Sequence, residues 1–253
     1  MQRILLFFAC CLFLLPSRAQ QKPAAYYWAQ VPAFPSSASQ QAFRSFLESV
    51  EDLRRTIDED AQAQEAAVAA KASTATPAIY QNPQNASQAE IQALMKRTQD
   101  RVQLMEDLNR RGGQINARFE STDKDYQSEL KAKVRSIEEW MTRCPSGQVG
   151  ARDQALAALC DQKGKELEAA RAAMATKWFL SGTAPFKGYL ADYAAFLKSS
   201  EPRIVKSWQD SFVGTGINIK GTACPESIKQ VVLYLNQVHA VFTKALEDGL
   251  LKP

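Results

Sequence analysis

From Ser39 onward, apolar residues return every three or four positions along stretches that run for many turns without a breaker. That period places them on one side of an α-helix, and a chain built from such stripes must bury them against one another. The 11 glycines and 11 prolines gather at a few places and mark where helices should stop. The expected fold is therefore all-α. It is an elongated antiparallel bundle with coiled-coil-like helical hairpins, reaching out toward its first two helices.

The clearest hairpin runs from Tyr126 to Phe179. Tyr126, Leu130, Val134, Ile137 and Met141 share one face, with Lys131, Lys133, Arg135, Glu138 and Glu139 mostly on the other. Cys144-Pro145 stops this helix, because the residue before proline is pushed out of the helical region. Gly147 and Gly150 supply a turn. A second helix starts near Ala151 with Leu156, Leu159, Leu167, Ala170, Met174 and Trp178 as its stripe.

Ahead of the hairpin, Phe43, Phe46, Val50, Leu53 and Ile57 step three, four, three, four along a helix expected over 39–71. Past Asp58-Glu59-Asp60 the seam thins to alanines and Val68, which bury little area, so this end should project or fray. A loop with Pro77 and Pro83 follows, carrying the sequon Asn85-Ala86-Ser87. Ser87 and Glu90 then form a capping box. Ile91, Leu94, Met95, Val102, Met105 and Leu108 read as the stripe of the next helix. Gly112-Gly113 leaves open whether that helix bends or ends; Ile115 and Phe119 resume its pattern before Ser121-Thr122-Asp123.

After Ser181-Gly182-Thr183, Pro185 suits a first helical turn. Phe186, Tyr189, Tyr193, Phe196 and Leu197 form one stripe. Ser200-Glu201-Pro202 reads as the start of a separate helix with Ile204, Val205, Trp208 and Phe212. Gly214 to Gly221 reads as a loop. Cys224-Pro225 opens the last helix, striped by Ile228, Val231, Leu235, Val238, Phe242 and Leu246.

Residues 1–19 have the pattern of a secretory signal peptide. Arg3 precedes the apolar run Ile4 to Leu15, and Ser17 and Ala19 place small residues before a cleavage site at Gln20. The run is shorter than the ~18 residues of a membrane span. A lipoprotein would acylate Cys10 or Cys11, but Phe7, Phe8 and Ala9 ahead of Cys10 lack the usual Leu, and apolar sequence continues beyond. The expected product is exported, periplasmic or secreted, with no transmembrane span. Losing Arg3 and Arg18 lowers the net charge from +4 to +2, too little to point to nucleic acid. Residues 20–38 form a tail in which Pro23, Pro32 and Pro35 should keep the backbone extended. Its Tyr26, Tyr27 and Trp28 either lie in a groove of the bundle or dock a partner, since Tyr and Trp are common interface anchors. The helical body, 39–253, divides at this stage into an arm, 39–120, and a core, 121–253.

Cys144, Cys160 and Cys224 survive cleavage and can make one bridge. Cys144 with Cys160 is the favoured pair, closing a local loop at the hairpin turn; Cys144 with Cys224 is the rival. The difficulty is reach, since Cys160 would stand well along its helix while disulfide α-carbons must come within ~7 Å.

Chemistry is sparse. His239 is the single histidine and has no visible metal-binding or catalytic neighbours. Cys-x-x-Cys, Gly-x-Ser-x-Gly, His-Glu-x-x-His and a phosphate-binding Gly-Lys-Ser/Thr loop are missing. Gly214-Thr215-Gly216 has no strand–helix–strand unit around it. The acidic run at Asp58 to Asp60 reads as a solvated helix face. No cofactor or metal is called for. The expected activity is non-enzymatic: a helical binding or scaffolding module with a protein partner, and self-association through heptad faces as one form of it. A second expectation is a carrier for a small hydrophobic ligand, with Tyr189, Tyr193, Trp208 and Phe212 lining a shared pocket. A carboxylate-dependent hydrolase is the third.

Overall fold

The computed structural model describes residues 22–73, 87–144 and 154–247. The leader, the loop with Pro77 and Pro83, Asn85 of the sequon, and the Pro145–Gly150 turn lie outside the described residues. The chain is all-α. A short helix α1 (Ala24–Trp28) precedes α2 (Gln40–Ser73), α3 (Gln88–Met141), α4 (Gln154–Ala175), a π-helical turn (Thr176–Leu180), α5 (Pro185–Asp210) and α6 (Pro225–Glu247).

The α3 helix organises the rest. Its 54 residues span about 80 Å at 1.5 Å per residue. Ser87 caps it as the sequence predicts. The Ser87 hydroxyl accepts from the Glu90 amide at 3.2 Å, and the Glu90 carboxylate accepts from the Ser87 amide at 2.8 Å. The helix continues through Gly112-Gly113 and through Ser121-Thr122-Asp123, so the expected boundary between arm and core falls inside one helix. Both glycines have open space where a side chain would stand. Their cost is the conformational freedom they lose, and packing on either side offsets it: Leu108, Ile115 and Phe119 all lie against the core.

Two helices line α3 end to end, both antiparallel to it. Along its C-terminal part, Glu129 pairs with Lys177 at 2.6 Å and Glu138 with Arg171 at 3.0 Å, both from the α4 side. Along its N-terminal part, Arg118 pairs with Asp192, Asp107 with Arg203, and Arg97 donates to the Val213 carbonyl at 3.1 Å, all from the α5 side. The chain passes from α4 to α5 through the π-helical turn, which sets Trp178 and Phe179 into the core together. Phe179 stacks on Phe186 with centroids 4.8 Å apart, and Tyr126 meets both rings and Trp178 edge-on.

The remaining helices build on α5. The α6 helix runs antiparallel to α2, its Phe242 against Phe43 and Phe46 at one end and its Lys229 paired with Glu65 toward the other. Glu201 of α5 accepts from the Ser227 hydroxyl at 2.8 Å. The alanine-rich end of α2 does not project or fray, against expectation. Ala61 and Gln64 are buried, and Val68 packs on a second cluster with Ile204, Trp208 and Cys224. Small side chains bury little area themselves, but they let one helix lie close against another. A two-helix stretch is formed instead by α4 on the C-terminal part of α3, where Leu159, expected in the stripe, is exposed.

Two further corrections concern proline. Ser200-Glu201-Pro202 does not start a helix, because α5 passes straight through Pro202. The i−4 carbonyl that proline leaves without a donor is that of Lys198, an exposed residue. The Ser200 hydroxyl donates to the Phe196 carbonyl at 2.8 Å. Packing of Phe196, Leu197, Ile204 and Trp208 on both sides holds the helix in line, against a penalty of about 3 kcal/mol for an interior proline. In the tail, Ala24–Trp28 is helical rather than extended: Pro23 stands just before the first turn, where its missing N–H costs nothing.

Candidate functional site

The tail aromatics divide. Tyr27 is 1% exposed and its hydroxyl donates to Asp60 Oδ2 at 2.6 Å. Burial and the neighbouring carboxylate push its pKa well above the ordinary phenol range. Trp28 packs on Tyr234 with centroids 5.2 Å apart, and the Lys198 ammonium lies over the indole at 4.7 Å. Phe34 completes the contact against Phe46 and Phe242. Tyr26 stands outside, 45% exposed, under the Lys22 ammonium.

Tyr189, Tyr193, Trp208 and Phe212 do not share a space. With α5 continuous, Tyr189 and Trp208 are separated by about 28 Å of helix. Tyr189 stacks on Tyr193 within the main core, whereas Trp208 meets Phe212 edge-on in the second cluster. Burial raises the pKa of both tyrosines. The expectation of a joint pocket depended on two consecutive helices meeting at Ser200-Glu201-Pro202, and α5 is one helix.

Cys144 and Cys160 sit at disulfide distance, their α-carbons 5.9 Å apart. Cys160 stands on α4, six residues past Gln154, and Cys144 lies just beyond the end of α3, and the two meet at this distance. Cys224 is buried beside Ile204 and Trp208, its thiol 3.5 Å from Glu226, and burial pushes its pKa up to about 12. His239 is half-buried, with Nδ1 3.3 Å from the Thr243 hydroxyl. Among the described residues no group of three or more His, Cys, Asp or Glu side chains converges as a metal site would require. Asp58 is paired with Arg54 at 3.8 Å, and Asp60 accepts from Tyr27.

Two features escaped the sequence reading. One is a cavity of about 540 Å³ between α3 and α5, walled by Leu94, Leu104 and Val213 and rimmed by Arg97, Arg101, Arg203 and Lys206. Most of its cations are already engaged: Arg97 with the Asp210 and Val213 carbonyls, Arg203 with Asp107, and Lys206 with Asp210. The other feature is larger. Ile91, Met95, Val102 and Met105, expected in the core, form an exposed apolar row on α3, with Met95 67%, Val102 50% and Met105 51% exposed. The buried side of this segment is carried by Leu104 and Leu108. The signal was present in the sequence as two apolar rows, 91-95-102-105 and 94-104-108, where a helix packed on one side needs only one.

Comparison with known proteins places the chain beside none of them: no family model, no curated protein and no solved structure matches it. Among the described residues, no helix is long and apolar enough to cross a membrane.

Proposed function

We propose that the chain is an exported, non-enzymatic binding or scaffolding module that works through the exposed face of α3. The observation that carries this reading is the row Ile91, Met95, Val102 and Met105, held on a helix whose opposite side is fastened to α5 by Arg97, Asp107 and Arg118. A contiguous apolar face on a rigid element marks an interaction site rather than a scatter of surface residues. The aromatic tail contributes less than its composition promises, because Tyr27 and Trp28 are spent on internal packing. Export is supported by the leader pattern and by a cysteine pair at disulfide distance.

The carrier alternative loses its motive with the separation of Tyr189 from Trp208. The hydrolase alternative gains nothing from the electrostatics. Among the described residues, the carboxyls that depart from the ordinary range, Glu51, Glu90 and Asp107, are all pulled down by hydrogen-bonding partners, Arg54, Ser87 and Arg203 respectively. A general acid needs the opposite shift.

Site-specific photocrosslinking tests the reading. A photoreactive residue at Val102, in the cells that export the chain, should give a discrete adduct, and one at exposed Ala195 of α5 should not. Failure at Val102, with the protein folded and exported, refutes an interaction role for this face.

A further inference from the structure

The exposed row on α3 has a heptad order that, among the described residues, nothing covers. Counting from Ile91 as a d position, a and d are filled in turn by Ile91, Met95, Thr98, Val102, Met105 and Asn109, all exposed. The next d position is Gly112, which ends the seam, and Ser87 caps the helix before it begins. In the same frame Arg101 occupies g and Glu106 occupies e. Both are exposed, and among the described residues neither pairs with a charged group of its own chain.

We infer that this face binds a second copy of the chain, the two α3 segments lying parallel and in register over residues 91–109. The inference rests on the reading of α3 as an interaction face and names its partner. Three observations converge on it. The a and d row is what a two-stranded coiled coil buries. In a parallel, in-register pair, g of one helix meets e of the next heptad on its partner, and that rule brings Arg101 of each copy to Glu106 of the other. An antiparallel pair centred on the seam sets g beside g and brings Arg101 next to its own counterpart, which repels. Asn109 is the third: a lone asparagine at an a position selects a paired, in-register state at some cost in affinity. Room for the partner exists. The body-facing residues Leu104, Asp107 and Arg111 lie on α3 well over a quarter turn from the centre of the a/d row, and Leu108, at a g position, lies about a quarter turn from it.

The test uses the full mature chain. Sedimentation equilibrium should show a concentration-dependent dimer. Val102→Glu should weaken association at least ~10-fold, since it buries like charges opposite one another, and at concentrations where the parent is itself monomeric circular dichroism should show its melt unchanged, because Val102 is an exposed residue of the single copy. Arg101→Glu and Glu106→Arg should each weaken the dimer, and the double variant should restore it. Thr98→Cys should oxidise to a covalent dimer, because equivalent d positions face each other only in the parallel arrangement. A chain monomeric up to about 1 mM overturns the inference; a photocrosslink from Val102 to a different protein would then leave the binding-module reading standing. A dimer that survives Val102→Glu places the interface elsewhere and overturns it too. A dimer lost on Val102→Glu, but coupled only in mixtures of Thr98→Cys with Val102→Cys, overturns the parallel register.

Discussion

Tyr27 ties the N-terminal segment to the body, and removing its hydroxyl measures that tie. The phenol donates to Asp60 Oδ2 at 2.6 Å, from a ring that is 1% exposed. A hydrogen bond to a charged acceptor is worth about 1.5–3 kcal/mol. The Asp60 side chain keeps 33% of its exposure and has the Lys22 ammonium at 3.5 Å, so it can recover solvation when the phenol is gone. Tyr27→Phe should therefore cost the lower end, about 1.5 kcal/mol. Tyr27→Ala also empties the space between α1 and its neighbours, and aromatic-to-alanine changes in cores cost about 3–5 kcal/mol. Urea unfolding followed by circular dichroism gives both values. Asp60→Ala should lose a similar amount to Tyr27→Phe, and the double variant should cost less than the two single changes added together, since both delete one bond. Strict additivity would show that the bond contributes nothing. A Tyr27→Ala variant as stable as the parent would show that the segment does not pack on the body at all. Deleting residues 20–36 should then also leave the melting temperature unmoved, where the contacts of Tyr27, Trp28 and Phe34 require a clear fall.

Gly112→Ala with Gly113→Ala should stabilise the chain by about 0.5–1 kcal/mol per site, read from thermal melts, because a β-carbon at either meets nothing within 4 Å. Replacing Cys144 and Cys160 by alanine should cost about 3 kcal/mol on the chain-entropy account of a local loop, and amide exchange should rise at the paired ends of α3 and α4 before it rises at Tyr126. Cys224 should resist alkylation at pH 8 in the folded protein and react at once in denaturant. The Cys224 thiol and the Tyr234 hydroxyl are both raised by burial, from ordinary values of 9.0 and 10.0 to about 12. The folded state holds their protons more tightly, so their contribution is complete below pH 9 and is lost as the pH climbs through 12. An unfolding free energy flat to pH 11 would refute the burial of these groups.

What could be read from the sequence, and what could not, follows one physical line. Periodicity reports which side of a helix is apolar. Where another helix covers that side, period and burial agree: Phe43, Val50 and Ile57 of α2, and Ile228, Val231, Leu235 and Val238 of α6, are all buried as their spacing predicts. Local signals sufficed where the competing forces were local, as at the Ser87 cap. They failed where packing overrode them. Pro202 reads as a boundary, but side chains on both sides of it are gripped by the body, and one lost backbone bond cannot outweigh them. The joint pocket fell with that boundary, since it needed two helices where there is one. Pro23 reads as a breaker and instead sets the start of α1. At the N-terminal part of α3 the difficulty is of another kind. Ile91, Met95, Val102 and Met105 have the period of a core, and nothing in a period distinguishes a face covered by the same chain from one covered by another molecule. The structure supplies the missing half by showing that Leu104 and Leu108 already fill the inward side. Among the described residues nothing covers this apolar heptad row, and the inward side beside it is already filled. Arg101 and Glu106, set on either side of that row and pairing with no charged group among the described residues, give a reason for a second copy rather than an unrelated helix: each supplies the charge that the other lacks.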